Sequence, residues 1–309
     1  MHIPDNFLST PVWAALDVVS IPVIGVVARH AGRDMDDSRV PLLGVMGAFV
    51  FAAQMINFPV GPGVSGHLVG GALLAYALGP SFAVITMTAI LAVQAFVFQD
   101  GGVLALGANV FNMAIAGVLA ACLPYQLWGK GSRRKAAVFA GAFFSVMVSA
   151  LFALSELLIS GQPMPRTLLW LSIALFAVSG IIEGAITVTV LQAMERFNPG
   201  WRHKAASGRR AALAGFAGFA VLLAGVGFLL ASTSPDGLQK IGISLGLGGR
   251  APFHAPLADY AAPFFSCAWG RRAIAGITGL VLIFGVCAAA GKALGRRRPA
   301  TPKGAACTT

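Results

Sequence analysis

Residues 12–28 read Val12-Trp13-Ala14-Ala15-Leu16-Asp17-Val18-Val19-Ser20-Ile21-Pro22-Val23-Ile24-Gly25-Val26-Val27-Ala28. One charge interrupts an apolar run long enough for a helix to cross the hydrocarbon layer, which takes about 17–25 residues. A cleavable signal peptide would need a basic segment ahead of such a run, and residues 1–10 contain no Lys or Arg. The stretch is therefore expected to remain as a membrane span. That expectation decides how the rest of the chain is read.

Further apolar runs, bounded by Gly, Pro or charge, fall near 40–57, 67–79, 81–98, 103–123, 136–159, 168–194, 211–231 and 273–294. Over 309 residues, 57% are hydrophobic and 11% charged, with mean hydropathy +0.80. Soluble domains carry roughly 25% charged residues. The composition predicts an all-α, polytopic helical membrane protein with about nine transmembrane helices. The run 67–79 is too short to cross alone unless it tilts or starts from backbone buried in protein, and Gly79-Pro80 separates it from the next.

The net charge of +11 excludes little by itself, but the bases cluster in short loops between apolar runs, a topology pattern and not a nucleic-acid surface. Of 22 Lys and Arg, 17 fall on one side of the nine-span arrangement. The rich side is expected to be cytoplasmic, which puts the N-terminus outside and the C-terminus inside. Segments 57–67, 99–102, 160–167 and 232–272 then lie outside. Arg271 and Arg272 abut the last span from the poor side, a local exception. Cys122, Cys267, Cys287 and Cys307 have no CxxC spacing, so neither a disulfide nor a zinc framework is expected.

Ahead of the first run stands Met1-His2-Ile3-Pro4-Asp5. Bulky His2 is expected to spare Met1 from aminopeptidase. A free Met1 amine, the deprotonated His2 amide and the His2 imidazole can close two fused rings on one metal, leaving one in-plane position open. Square-planar nitrogen sites suit Cu(II) and Ni(II). The alternative is a polar residue at a frayed terminus.

His67 ends the Gly- and Pro-rich outer loop 57–67, in which the prolines stiffen and the glycines permit tight turns. It shares the outer layer with His2 and is a candidate for the fourth in-plane nitrogen; a histidine at the membrane interface bonded to backbone is the alternative. His30 and His203 lie in basic inner loops, and His254 lies in the long outer loop 232–272. Gln99 and Asp100 occupy another short outer loop and Asn109 the following span. These three are assigned either to supporting the metal ligands or to helix packing. Asp17, Glu156 and Glu183 fall within spans, where hydrogen bonding to a neighbouring helix or a proton relay is open to them. The spacings Gly66 to Gly70 and Ala211 to Gly215 would suit close helix packing. No GxxxxGK[ST] or HExxH motif occurs, so ATP hydrolysis by a phosphate loop would belong to other chains.

Several blocks resemble the nickel/cobalt substrate-binding subunit of energy-coupling-factor (ECF) transporters, the NikM/CbiM type. They are Met1-His2-Ile3-Pro4-Asp5 with Phe7-Leu8-Ser9, Gly66-His67-Leu68-Val69-Gly70-Gly71, Phe98-Gln99-Asp100-Gly101-Gly102, Leu106 to Met113, and Ile182-Glu183-Gly184. The resemblance implies that the Met1 amine, the His2 amide and imidazole, and the His67 imidazole bind Ni(II) or Co(II) in a plane. Ser234-Pro235-Asp236-Gly237-Leu238 with Pro256-Leu257-Ala258-Asp259-Tyr260 resembles the small NikN/PDGLE-type accessory subunit. Gln239 replaces the usual Glu of that pattern, and Asn6 stands where the family often has Gly; Asn tolerates a left-handed turn. The implied organisation is a metal-binding membrane domain of about seven helices at 1–200, a cytoplasmic linker at 201–210, and an accessory domain at 211–309 with two helices and the outer loop 232–272.

The expected function is substrate capture for an importer in a bacterial or archaeal inner membrane. The cation is the transported substrate, with no cofactor and no enzymatic activity of the chain's own. The partners implied are a transmembrane coupling subunit, two ATPase subunits and membrane lipid, with no nucleic acid. Ni(II) is favoured by the Ile-Pro-Asp start and the fused accessory part. Alternatives are Co(II) uptake for cobalamin synthesis, a stand-alone ion-coupled carrier relaying protons through Asp17, Glu156 or Glu183, and an intramembrane enzyme.

Overall fold

Pro11, Pro41 and Pro80 each sit in the first turn of a helix, where the missing N–H is one the helix could not use. They open α1 (Thr10–Asp34), α2 (Val40–Gln54) and α4 (Pro80–Phe98) in a computed structural model that describes residues 1–197, 209–229, 231–247 and 253–296. The other helices are α3 (Gly71–Leu78), α5 (Leu106–Trp128), α6 (Arg134–Ile159), α7 (Arg166–Phe197), α8 (Arg209–Val226), α9 (Gly237–Leu245) and α10 (Ala268–Arg296). The structure is all-α in class, as expected. Each of the nine apolar runs carries a helix.

Six helices among the described residues are long and apolar enough to cross a membrane: α1, α4, α5, α6, α7 and α10. The bundle turns large apolar side chains outward, Leu127, Trp170 and Val281 among them. Water would not tolerate that surface, and lipid would. The protein is a multi-pass integral membrane protein. Helix α3 rises only about 12 Å and is buried along its whole length. It starts from backbone already inside the protein, the one arrangement that lets so short a helix sit at membrane depth.

Two sequence expectations are corrected. The loop 57–67 is a β-hairpin, with β1 (Phe58–Gly61) antiparallel to β2 (Val64–Gly66), Phe58 opposite Gly66 and Pro59 opposite Ser65. Gly63, at φ +66, makes its turn. The Gly66–Gly70 spacing is therefore no helix-packing pair, since Gly66 lies in β2 and Gly70 caps α3 at φ +81. Nor is Ala211–Gly215, because a methyl on Gly215 would meet open space. The close helix approaches lie elsewhere, at Gly47 against Cys287 and Ile283, and at Gly276 against the Ala224 backbone. These bring α10 and α8 against α2, and α10 also meets α1 and α4. The expected linker 201–210 lies outside the described residues except for Arg209 and Arg210, which begin α8.

Candidate metal centre

The terminus is threaded into the protein. Ile3 is fully buried, and its N–H donates to Asn109 Oδ1 at 2.7 Å while its carbonyl accepts from Asn109 Nδ2 at 3.0 Å and from the Gly102 N–H at 2.8 Å. Asp5 accepts from the Val103 and Leu104 amides at 3.1 and 2.9 Å. Asn6 takes the left-handed conformation, φ 68, that turns the chain toward α1. Glycine is required opposite this segment. A Cβ on Gly102 would lie 2.5 Å from the Asp5 nitrogen, and one on Gly101, itself at φ +95, 3.2 Å from the His2 Cβ.

This threading brings Met1 and His2 against His67. The Met1 amine is 2.6 Å from His67 Nε2, and the His2 and His67 rings stack nearly parallel with centroids 5.1 Å apart. His67 Nδ1 lies 2.9 Å from the Leu68 carbonyl, so it carries the ring proton and leaves the Nε2 lone pair facing Met1. Burial first, then the terminal ammonium and His2, push the His67 ring down to about 3, so it is neutral and ready to bind metal at ordinary pH.

His2 is more telling. It is 3% exposed, and neither ring nitrogen has a hydrogen-bond partner. Asp100 Oδ1 comes within 3.1 Å of Nδ1, an ion-pair contact that falls outside hydrogen-bond geometry, and Nε2 has no partner. Buried ring nitrogens are normally hydrogen-bonded, so a ring held this way is free to offer Nδ1 to a cation. Only Nδ1, the nitrogen nearer the backbone, can close a small ring with its own amide. With bonds of about 2.0 Å from imidazole nitrogen to a divalent ion, adjacent corners of a square plane lie about 2.8 Å apart. The Met1–His67 separation fits such an edge. Among the described residues, no group of three or more His, Cys, Asp or Glu side chains is placed to hold a metal.

Carboxylates flank the nitrogens. Asp236 Oδ2 accepts from the Met1 ammonium at 2.7 Å, and burial is overcome by that ammonium, which holds the Asp236 carboxyl below its usual range. Asp100 Oδ2 accepts from the Tyr260 hydroxyl at 2.5 Å. Burial works to raise the Asp100 carboxyl, but His2 beside it and Tyr260 hold it well below the usual range. Asp236 and Tyr260 come from the loop 232–272. Asp236 caps α9 through a reciprocal pair, accepting from the Gln239 amide at 2.8 Å while its own N–H donates to the Gln239 side chain at 3.2 Å. Gln thus performs at 239 the capping that Glu would. Next to it, the Ser65 N–H and hydroxyl of β2 donate to the Pro235 and Ser234 carbonyls at 2.9 and 2.7 Å. A cavity of ≈ 470 Å³ between this loop and the nitrogens is lined by His67, Asp100, Asp236, Gln239, Tyr260 and Arg272.

Of the residues expected from sequence, Met1, His2, His67 and Asp100 come together, and Asn109 grips the segment that carries them. Gln99 lines the same cavity, but at φ 57 its side chain accepts from the Ala255 amide at 3.3 Å and lies 3.4 Å from His254, away from the nitrogens. His30 bonds the Val26 carbonyl, and His203 lies outside the described residues. The span carboxylates each bond another element, Asp17 the Gly107 amide, Glu156 Asn112, and Glu183 the Val69 and Gly70 amides. Asp236, Tyr260 and Glu183 were not expected at the site. The Pro-Asp-Gly-Leu and Leu-Ala-Asp-Tyr blocks held the first two, with nothing local to say where they dock.

The sequence profile of the CbiM family, described as a cobalt uptake substrate-specific transmembrane region, matches residues 2–201. A protein of Archaeoglobus fulgidus, provisionally named a fused nickel transport protein, is 34% identical over 290 residues, 92% of this chain and 95% of its own. The cobalt transport protein CbiM of Thermosediminibacter oceani is 33% identical over 207 residues, 63% of this chain and 84% of its own. A crystal structure of a truncated transition metal transporter superposes with TM-score 0.56 at 31% identity, covering 63% of this chain and 99% of that one. The chain belongs to the CbiM family, in the fused form that joins a NikM/CbiM-type membrane region to an accessory segment.

Proposed function

We propose that this chain is the substrate-capture component of an ECF-type nickel or cobalt importer, holding the cation through the Met1 amine, the His2 amide nitrogen, His2 Nδ1 and His67 Nε2. The observation that carries this reading is the buried His2 ring stacked on His67 beside the terminal amine, its Nδ1 facing only the Asp100 carboxylate. Loading replaces the proton that Met1 shares with His67 and Asp236 and removes the His2 amide proton, so acid favours release. The cavity beside His67 and Asp100 offers the cation its way in. Segments 1–200 and 211–309 act as capture and accessory domains joined by a cytoplasmic linker at 201–210. The N-terminus is outside, and the coupling and ATPase subunits are separate chains.

Ni(II) is the preferred cargo because both the planar nitrogen set and the fused relative favour it; the cobalt-named relative keeps Co(II) as the second reading. Radioactive nickel uptake by cells carrying the chain and its partners tests the proposal. Uptake is expected to fall to background in His2→Ala and in His67→Ala. Wild-type uptake by either variant contradicts the ligand set, and cobalt uptake that nickel does not compete for would reassign the cargo.

A further inference from the structure

Glu183 lies on α7 and is 1% exposed. Its Oε2 accepts from the Val69 N–H and its Oε1 from the Gly70 N–H, each at 2.7 Å. These amides lie just ahead of α3, at its N-cap Gly70 and the residue before it, where the helix itself supplies no partner. Between His67 and α3 the chain reads Leu68-Val69-Gly70, without one side-chain acceptor. The segment therefore has no side chain of its own to accept from these two amides. A buried carboxylate is a costly substitute, and this one spends both oxygens on consecutive amides two and three residues from a proposed ligand.

The same short segment sets the His67 ring. The Leu68 carbonyl takes the Nδ1 proton, the Val69 carbonyl accepts from Gln54 Nε2 at 2.7 Å, and a Cβ on Gly70 would strike Val50 at 2.4 Å. The backbone is thus pressed against α2 on one side and held by α7 on the other. We propose that Glu183 is a positioning residue for His67, aiming Nε2 into the metal plane by gripping the backbone that follows it. This rests on the four-nitrogen reading above. It assigns the buried carboxylate of α7 to ligand geometry and not to proton relay.

The test uses Cu(II) as a probe of the full chain with a free Met1, counting in-plane nitrogens by electron paramagnetic resonance and measuring affinity against a competing chelator. Wild type is expected to show four nitrogens. Glu183→Gln is expected to show three, matching His67→Ala, with affinity about 10–100-fold weaker, the usual effect of losing a group that orients a ligand. Glu156→Gln, a buried carboxylate on α6 that bonds Asn112 instead, is expected to keep four nitrogens and wild-type affinity. Four nitrogens and unchanged affinity in Glu183→Gln would overturn the assignment even if the variant melted earlier. Fewer than four in wild type would overturn the four-nitrogen reading, and this one with it. Should Glu183→Gln not fold, Glu183→Asp, whose shorter arm cannot reach both amides, is expected to fall between wild type and His67→Ala; identity with wild type would overturn the proposal.

Discussion

At the scale of single residues, the candidate site rests on two buried histidines stacked beside the terminal amine. His67 is buried neutral, with its ring pushed from an ordinary 6.5 to about 3, mainly by burial and then by the terminal ammonium and His2. Between those values the unfolded chain binds a proton that the folded site refuses. Stability from this group is therefore complete above about 6.5 and is lost as pH falls toward 3. Asp100 and Asp236, both held below their ordinary 3.8, act in the same direction but only in more acid solution. The metal-free protein should lose melting temperature between pH 6.5 and 4, and His67→Gln should flatten that part of the curve. Asn109 makes a second point. Asn109→Ala leaves the buried Ile3 N–H without an acceptor, at about 1–3 kcal/mol. It should weaken nickel binding about 10–100-fold and expose the terminus to aminopeptidase, both measurable on purified protein.

At the scale of elements, three short segments converge on the donors: residues 1–6, the turn 99–104, and the stretch from β2 to α3. Their meeting depends on close backbone approach, so Gly102→Ala should push residues 1–5 out of place while leaving the helices intact. Nickel affinity should fall at least about tenfold with an unchanged far-ultraviolet circular dichroism spectrum. An unaltered affinity would show that the terminus can be held some other way. The long helices were readable from the sequence because an apolar run bounded by charge has one stable answer in lipid. The β-hairpin was not. Pro59, Pro62 and three glycines over residues 57–67 read as loop, and what makes β2 a strand is its pairing with β1 on one edge and the hydrogen bonds to Ser234 and Pro235 on the other. Those contacts lie far away in sequence, beyond any local pattern.

At the scale of the whole molecule, the two parts of the chain interlock twice. Helices α8 and α10 pack on α2 in the bundle, and the loop 232–272 lays Asp236 on Met1 and Tyr260 on Asp100 at the site. Asp259 and Tyr260 both sit at positive φ, 55 and 54, a strained backbone for residues other than glycine. Such strain persists where surrounding contacts enforce it. A protease site inserted within 201–208 should therefore yield two fragments that purify together after cleavage and bind nickel as the intact chain does. Separation of the fragments in mild detergent would show that the packing is weaker than it looks. Met1, His2 and His67 were legible as candidate donors because amine, amide and imidazole have a known geometry, and the fold brings them together. No local pattern could say that a carboxylate more than two hundred residues away meets the Met1 amine.

The proposed four-nitrogen site depends on the terminal amine as a ligand. The most direct measurement is nickel titration of purified full-length protein with its native Met1, beside the same protein carrying one extra residue ahead of Met1. The native protein should bind one Ni(II), with proton release that includes the His2 amide and a visible spectrum typical of planar nitrogen coordination. The extended protein should lose both the spectrum and the affinity. Equal binding and the same spectrum from the extended protein would contradict the central claim.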